Sequence, residues 1–193
     1  MTSNYWLFSD PHFWHDNIYK FVNASGIRVR ERFTSEKEGR EYMVDRWRTL
    51  VQPSDHIWCL GDLCMHRGNH HATEFIALVK SLPGHKRLIL GNHDHYATGV
   101  YTAAGFEKVR ASNVYDGLLM THYPVHASSI GPRLIGNVHG HTHDHPDIGP
   151  QYLNVSCERT NYEPIHIEEV KARLRVKIPP PTQDVSGNQL GGL

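Results

Sequence analysis

Leu88 to Tyr96 reads LILGNHDHY: an apolar run of strand length stops at Gly91 and delivers an amide, an imidazole and a carboxylate together. The same construction occurs twice upstream. NYWLFS (Asn4 to Ser9) is halted by Asp10-Pro11, and HIWCL breaks at Gly61-Asp62. Continuous apolar runs bounded by turn residues are what strands buried on both faces look like. The intervening segments read as helices. HDNIYKFVN is a short one, and a firmer one starts near Ser35, where Ser35 and Glu38 have capping-box spacing and Met43, Trp47, Leu50 and Val51 make one apolar face. ATEFIALVKSL follows, with Phe75, Ile76, Val79 and Leu82 facing inward, until Pro83-Gly84 turns the chain into the third run. Strands alternating with helices predict βαβ units and a largely parallel sheet. Ligands of such sheets bind beyond the carboxyl ends of the strands, so the three polar clusters should converge in space.

The second half changes character. VYDGLLMTHYP, RLIGNVHGHTH, YLNVSCE and EPIHI are strand-like with little helix between them, which predicts a second sheet packed on the first, and EEVKARLRV reads as a closing helix. Two further clusters follow strands here: His122 in THYP, and Gly140-His141-Thr142-His143. On extended segments alternate residues point the same way, so Asp10 with His12, and His141 with His143, are each expected to offer paired ligands on one face. We expect one domain over residues 1–177 and a flexible Pro- and Gly-rich tail over 178–193, dispensable for catalysis.

Sixteen histidines are several times what a chain of 193 residues ordinarily carries, and many neighbour Asp, Asn or Gly. Carboxylate, amide oxygen and imidazole without thiolate suit hard or borderline divalent ions. Seven candidates exceed one tetrahedral site and suffice for two metals sharing a carboxylate.

The order D-x-H, GD, GNHD, H, GHxH resembles that of the calcineurin-like metallophosphoesterase superfamily, and FSDPHFWHDNI and NVSCERTNYEPIHIEEV resemble its small bacterial and phage members. The resemblance implies a four-layer αββα sandwich, two mixed β-sheets flanked by helices. It also implies that one metal takes Asp10, His12 and His143, that the second takes Asn92, His122 and His141, and that Asp62 bridges them. His93 would meet the phosphoryl group or leaving oxygen, with Asp94 orienting it. Manganese is the expected ion, with Fe, Zn, Ni, Co and Mg as alternatives. Two such ions, about 3.5–4 Å apart, activate a bridging water and clamp an in-line displacement at phosphorus. The implied activity is hydrolysis of a small, nucleotide-like phosphodiester; a phosphomonoesterase and a catalytically silent metal-binding scaffold are the alternatives.

Competing readings exist for several residues. Asp10 or Asp62 alone would read as helix N-caps, and His122 or His141 as satisfied core histidines. Cys59, Cys64, His66 and His70 faintly resemble a zinc knuckle, although Cys59 falls within a buried strand. His15, His126, His139 and His145 match no ligand position. Arg28, Arg30, Arg32 and Arg133, together with the Met65 to His71 segment containing Arg67, are candidate contacts for an anionic substrate.

Lys plus Arg and Asp plus Glu both total 20, which disfavours long nucleic acid as substrate. No run approaches the roughly 18 apolar residues of a membrane span. The absence of an export-like start and the three cysteines without a C-x-x-C pair lead us to expect a cytoplasmic protein. Oligomeric state is not legible.

Overall fold

The computed structural model describes residues 4–65 and 69–177. The expected tail, and the side chains of His66, Arg67 and His70, lie outside the described residues.

β1 (Tyr5–Phe8), β2 (His56–Cys59), β3 (His85–Ile89) and β4 (Phe106–Arg110) run parallel in a five-stranded sheet of order β4-β3-β2-β1-β9. The last member, β9 (Ile165–His166), is antiparallel to β1. β5 (Ser112–Tyr115), β6 (Leu118–Thr121), β7 (Gly136–His139) and β8 (Tyr152–Asn154) form the second sheet, in which β5 and β6 are antiparallel and β6, β7 and β8 parallel. Both sheets are mixed and helices flank them, as the resemblance implied.

α1 (Glu36–Leu50) starts where Ser35 Oγ accepts the Glu38 N–H. The return contact of a capping box shifts by one residue, because the Glu38 carboxylate accepts from Thr34 N–H and Oγ–H rather than from Ser35. Met43, Trp47 and Val51 are buried and Leu50 is partly exposed. Met43, Trp47 and Val51 join Phe75 and Val79 of α2 (Asn69–Lys80) and Tyr101 of α3 (Thr98–Ala103) in a core that also takes Phe8, Ile57 and Leu88 of the first sheet. A second core holds Leu7, Trp58 and Ile89 against Leu118, Met120 and Val138 of the second sheet, and Val170 and Leu174 of α4 (Ile167–Lys177) close it.

Four sequence expectations change. HDNIYKFVN is not a helix throughout; only Asp16–Tyr19 forms a 3-10 turn. EPIHI does not extend the second sheet; its β9 edges the first. VYDGLLMT is a hairpin rather than one strand, turning at Asp116 and Gly117 with φ of 50° and 78°, the left-handed pair that a tight two-residue hairpin requires. α3 and β4 lie in a segment assigned no element from sequence. Cys59 and Cys64 belong to the first core, and none of the three cysteines forms a disulfide. No helix among the described residues is long and apolar enough to cross a membrane.

Candidate metal centre

The five polar clusters follow β1, β2, β3, β6 and β7, and the structure brings them together at the carboxyl ends of both sheets. Asp10, His12 and His143 form one group whose donor atoms all lie within 4.8 Å of one another, and Asp62, His122 and His141 form another. Asp62 Oδ2 lies 3.5 Å from His12 Nε2 in the first group and 3.4 Å from His122 Nε2 in its own. Asn92 Oδ1 is 2.9 Å from the same His122 nitrogen, so the amide oxygen joins the second group.

Paired ligands do not arise from pleated alternation as expected. Asp10, His12, Asp62, His141 and His143 have φ of 57°, 50°, 55°, 68° and 49°, so the chain coils left-handed through them just past the strands. Asp and His tolerate this region better than most side chains, yet each such residue still costs about 1 kcal/mol or more. Backbone bonds hold the first two turns in place: Asp10 N–H donates to Gly61 O and His12 N–H to Asp62 O. Glycine is required at two close approaches. A Cβ on Gly91 would collide with Asp62 Oδ1, and one on Gly140 with Asp10 Oδ2.

Each ligand is held from behind. Asp10 is fully buried, and its carboxylate accepts from Ser9 Oγ at 2.6 Å, Ser156 Oγ at 3.1 Å and the His141 N–H at 2.9 Å. Asp62 Oδ1 accepts the His93 N–H at 2.8 Å. His122 Nδ1 meets Leu60 O at 2.7 Å, which aims Nε2 at Asp62 and Asn92. His143 Nδ1 meets Glu158 Oε1 at 3.2 Å.

Glu158 was not singled out from sequence, and it explains Arg30. Arg30 was expected as a phosphate contact, but its side chain is wholly buried. It donates to Glu158 Oε1 at 2.8 Å, to Pro11 O at 2.8 Å and to Asp10 O at 2.7 Å, so its fork clamps the first metal motif from beneath. Arg28 reaches the Phe33 and Glu31 carbonyls, and Arg32 binds Asn161 and covers the Tyr42 ring. Arg133 is exposed.

Asp94 also takes a different place. Its carboxylate accepts the N–H groups of Asp62, Gly91 and Leu63 at 2.8, 2.8 and 3.1 Å, tying the turn after β2 to the turn after β3. It therefore does not orient His93, whose Nδ1 is buried without a hydrogen-bond partner. The His93 ring lies 5.4 Å from the His12 ring, at the first group. Among the remaining histidines, His15 is 5.6 Å from His12, His139 is buried, and His126 caps a 3-10 turn through Ser128.

The donor set fits divalent ions. Both nitrogens of buried His12 lack a hydrogen-bond partner, although Nε2 points between two carboxylates. A buried imidazole left so is costly unless a cation completes it. Burial lifts Asp10 to about 6 against the neighbouring histidine charges. At Asp62 burial acts the same way, but His122 and the His93 N–H outweigh it and bring the carboxyl to about 2. Burial pushes His122 down, yet the Asp62 bond and the Asp10 charge raise it to about 9. His12 and His141 are lowered chiefly by burial. His143 is raised by Glu158 in spite of burial.

The profile of calcineurin-like phosphoesterases matches residues 3–180. The chain belongs to the calcineurin-like phosphoesterase family. An uncharacterized protein of Methanocaldococcus jannaschii is 30% identical over 173 residues, covering 84% of this chain and 86% of that protein. The Gene 66 protein of Mycobacterium phage L5 is 28% identical, covering 73% of this chain and 78% of its own length. A crystal structure of a protein of unknown function from Aquifex aeolicus superposes with a TM-score of 0.65 at 22% identity, over 89% of this chain and 99% of that one, a likeness of fold. Membership in this family and the two ligand groups give the chain the architecture of a metal-dependent hydrolase.

Proposed function

We propose that this calcineurin-like phosphoesterase is a dinuclear metal-dependent phosphodiesterase acting on a small, nucleotide-like phosphate ester, with manganese as its ion. The observation that carries the reading is Asp62 Oδ2, a single carboxylate oxygen facing the Nε2 atoms of both His12 and His122 at 3.5 and 3.4 Å. Asp10, His12 and His143 would hold one ion, and Asn92, His122 and His141 the other, with Asp62 between them. Two divalent ions bound there supply Lewis acidity toward phosphoryl oxygens and a source of nucleophile at neutral pH.

The chain's own groups do the rest. His93, fixed by its N–H bond to Asp62, presents its ring at the edge of the first group, where it stabilises charge on the phosphoryl or leaving oxygen. Asp94 keeps the Asp62 and Gly91 turns in register, and Arg30 with Glu158 keeps the Asp10 and His143 ends from drifting. A cavity of about 650 Å³ beside His141 and His143 is walled by Asp144 and Asp147, and among the described residues no lysine or arginine lines it. That lining favours a diester with one negative charge over a monoester dianion, and a compact ligand over long nucleic acid, which needs a basic face.

Metal titration and an assay of mono- and diester substrates test the reading. Two equivalents of manganese should bind, Asp62→Asn should weaken both, and diesters should turn over faster than monoesters. Saturation at one equivalent, with Asp62→Asn altering a single site, would remove the shared carboxylate and the reading with it.

A further inference from the structure

We propose that the cavity beside His141 and His143 is a subsite for a planar aromatic or heterocyclic group of the ester, and that Phe21 is the ring on which this group packs. The inference rests on the phosphodiesterase reading above and names the part of the substrate that the ligand groups do not touch. Ile18, Phe21 and Val29 line the cavity together with Pro146 and Ile148, and His141 to His143 connect it to the candidate metal centre. Phe21 is 51% exposed and Ile148 62% exposed, a large apolar outlay for surface residues that border a polar centre.

The aromatic wall is linked to the centre by rings. His15 lies 5.6 Å from His12 and 5.8 Å from Phe21, so the His15 ring links the aromatic wall to the first ligand group. The wall is also built rather than loose. Val29 N–H donates to Phe21 O, Asn23 N–H to Ile27 O, and Val22 bridges Arg28, which makes residues 21–29 a small hairpin. Asn23 Nδ2 then reaches Asp144 Oδ2 at 3.4 Å, joining the hairpin to the opposite wall.

The cavity has the size of a nucleotide-scale site. Asp144, His145 and Asp147 along its wall suit the polar edges of a ring, and the apolar remainder of the lining suits its faces. Stacking of a base on an aromatic side chain is sequence-tolerant, so the class named is the flat ring rather than one base.

Equilibrium dialysis of the manganese-loaded full chain with adenosine 5′-monophosphate, ribose 5-phosphate and octyl phosphate tests this. The nucleotide should bind about 10-fold tighter than ribose 5-phosphate. Phe21→Ala should shrink that ratio to about 2-fold and Phe21→Trp should restore it, and the exposed position of Phe21 leaves folding intact. With a bis-aryl phosphodiester, Phe21→Ala should raise KM by about 5- to 10-fold at nearly constant kcat, as loss of uniform binding does. Equal binding of the nucleotide and ribose 5-phosphate, tighter binding of octyl phosphate, or indifference to Phe21→Ala overturns the subsite. Base-dependent binding without hydrolysis of any ester would sink the phosphodiesterase reading and leave the subsite standing. Hydrolysis without ring preference would do the reverse.

Discussion

His93 and Arg30 carry similar electrostatic promise in the sequence and have opposite roles in the structure. His93 faces the first ligand group; its backbone is held by the N–H bond to Asp62, while its ring Nδ1 has no hydrogen-bond partner. His93→Ala should therefore keep metal stoichiometry and thermal stability while lowering kcat by about 10²–10⁴, the worth of a positioned acid or charge stabiliser. Metal lost together with activity would make it a ligand instead. Arg30 faces inward and its bonds are geometric. Lysine keeps the charge but lacks the planar fork, so Arg30→Lys should lower the unfolding free energy by about 3 kcal/mol, the scale on which a broken buried ion pair destabilises. Urea melts measure this, with exposed Arg28→Lys as the control that should not move. The sequence displays the ligands because each follows an apolar run and carries a distinctive donor. It does not display the Arg30 to Glu158 pair, since 128 positions separate the partners and nothing local in RVRERF marks one arginine as interior.

At the level of single elements, α1 was legible because its start is written in side chains that bond to backbone. Ser35→Ala removes the acceptor of the Glu38 N–H and should cost about 1 kcal/mol with no change in turnover. A drop in kcat would show that α1 positions the centre more directly than its packing suggests. β1, β2 and β3 were legible for a different reason, since both their faces are covered and the runs are uninterrupted. α3 and β4 are six and five residues long, and FEKVR exposes most of its side chains, so neither shows a periodic apolar pattern. Asp116-Gly117 is itself a hairpin signal, flanked by apolar residues on both sides. β9 is two residues whose partner is chosen by β1's free edge, a matter of tertiary pairing alone.

The molecule as a whole joins its sheets at the candidate centre. Asp10, His12, Asp62 and Asn92 follow strands of the first sheet, and His122, His141 and His143 follow strands of the second. Ions bound there cross-link the two layers and favour the folded state through their differential affinity for it. Protons compete for the same lone pairs. With His122 raised to about 9, the metal-free centre holds a proton on that imidazole at pH 7. Filling the second group must expel it, so binding should release at least the His122 proton, and apparent affinity should climb as pH rises toward 9 and fall as pH drops. Calorimetry in two buffers of different ionisation enthalpy reads the release directly. Heats that do not depend on buffer would show that His122 is already neutral.

The left-handed backbone at five of the ligands also limits what a redesign of this centre can use. Replacing Asp10, His12, Asp62, His141 or His143 exchanges a donor and, at the same stroke, asks a new side chain to accept a conformation that β-branched and bulky residues resist. Asn92 and His122 stand outside that set. A softer ligand, such as cysteine, introduced to shift ion preference thus meets only the coordination problem at Asn92, whereas at His141 it meets the coordination problem and an unfavourable main chain together. Retuning this fold for a different metal starts from the second group, at the amide.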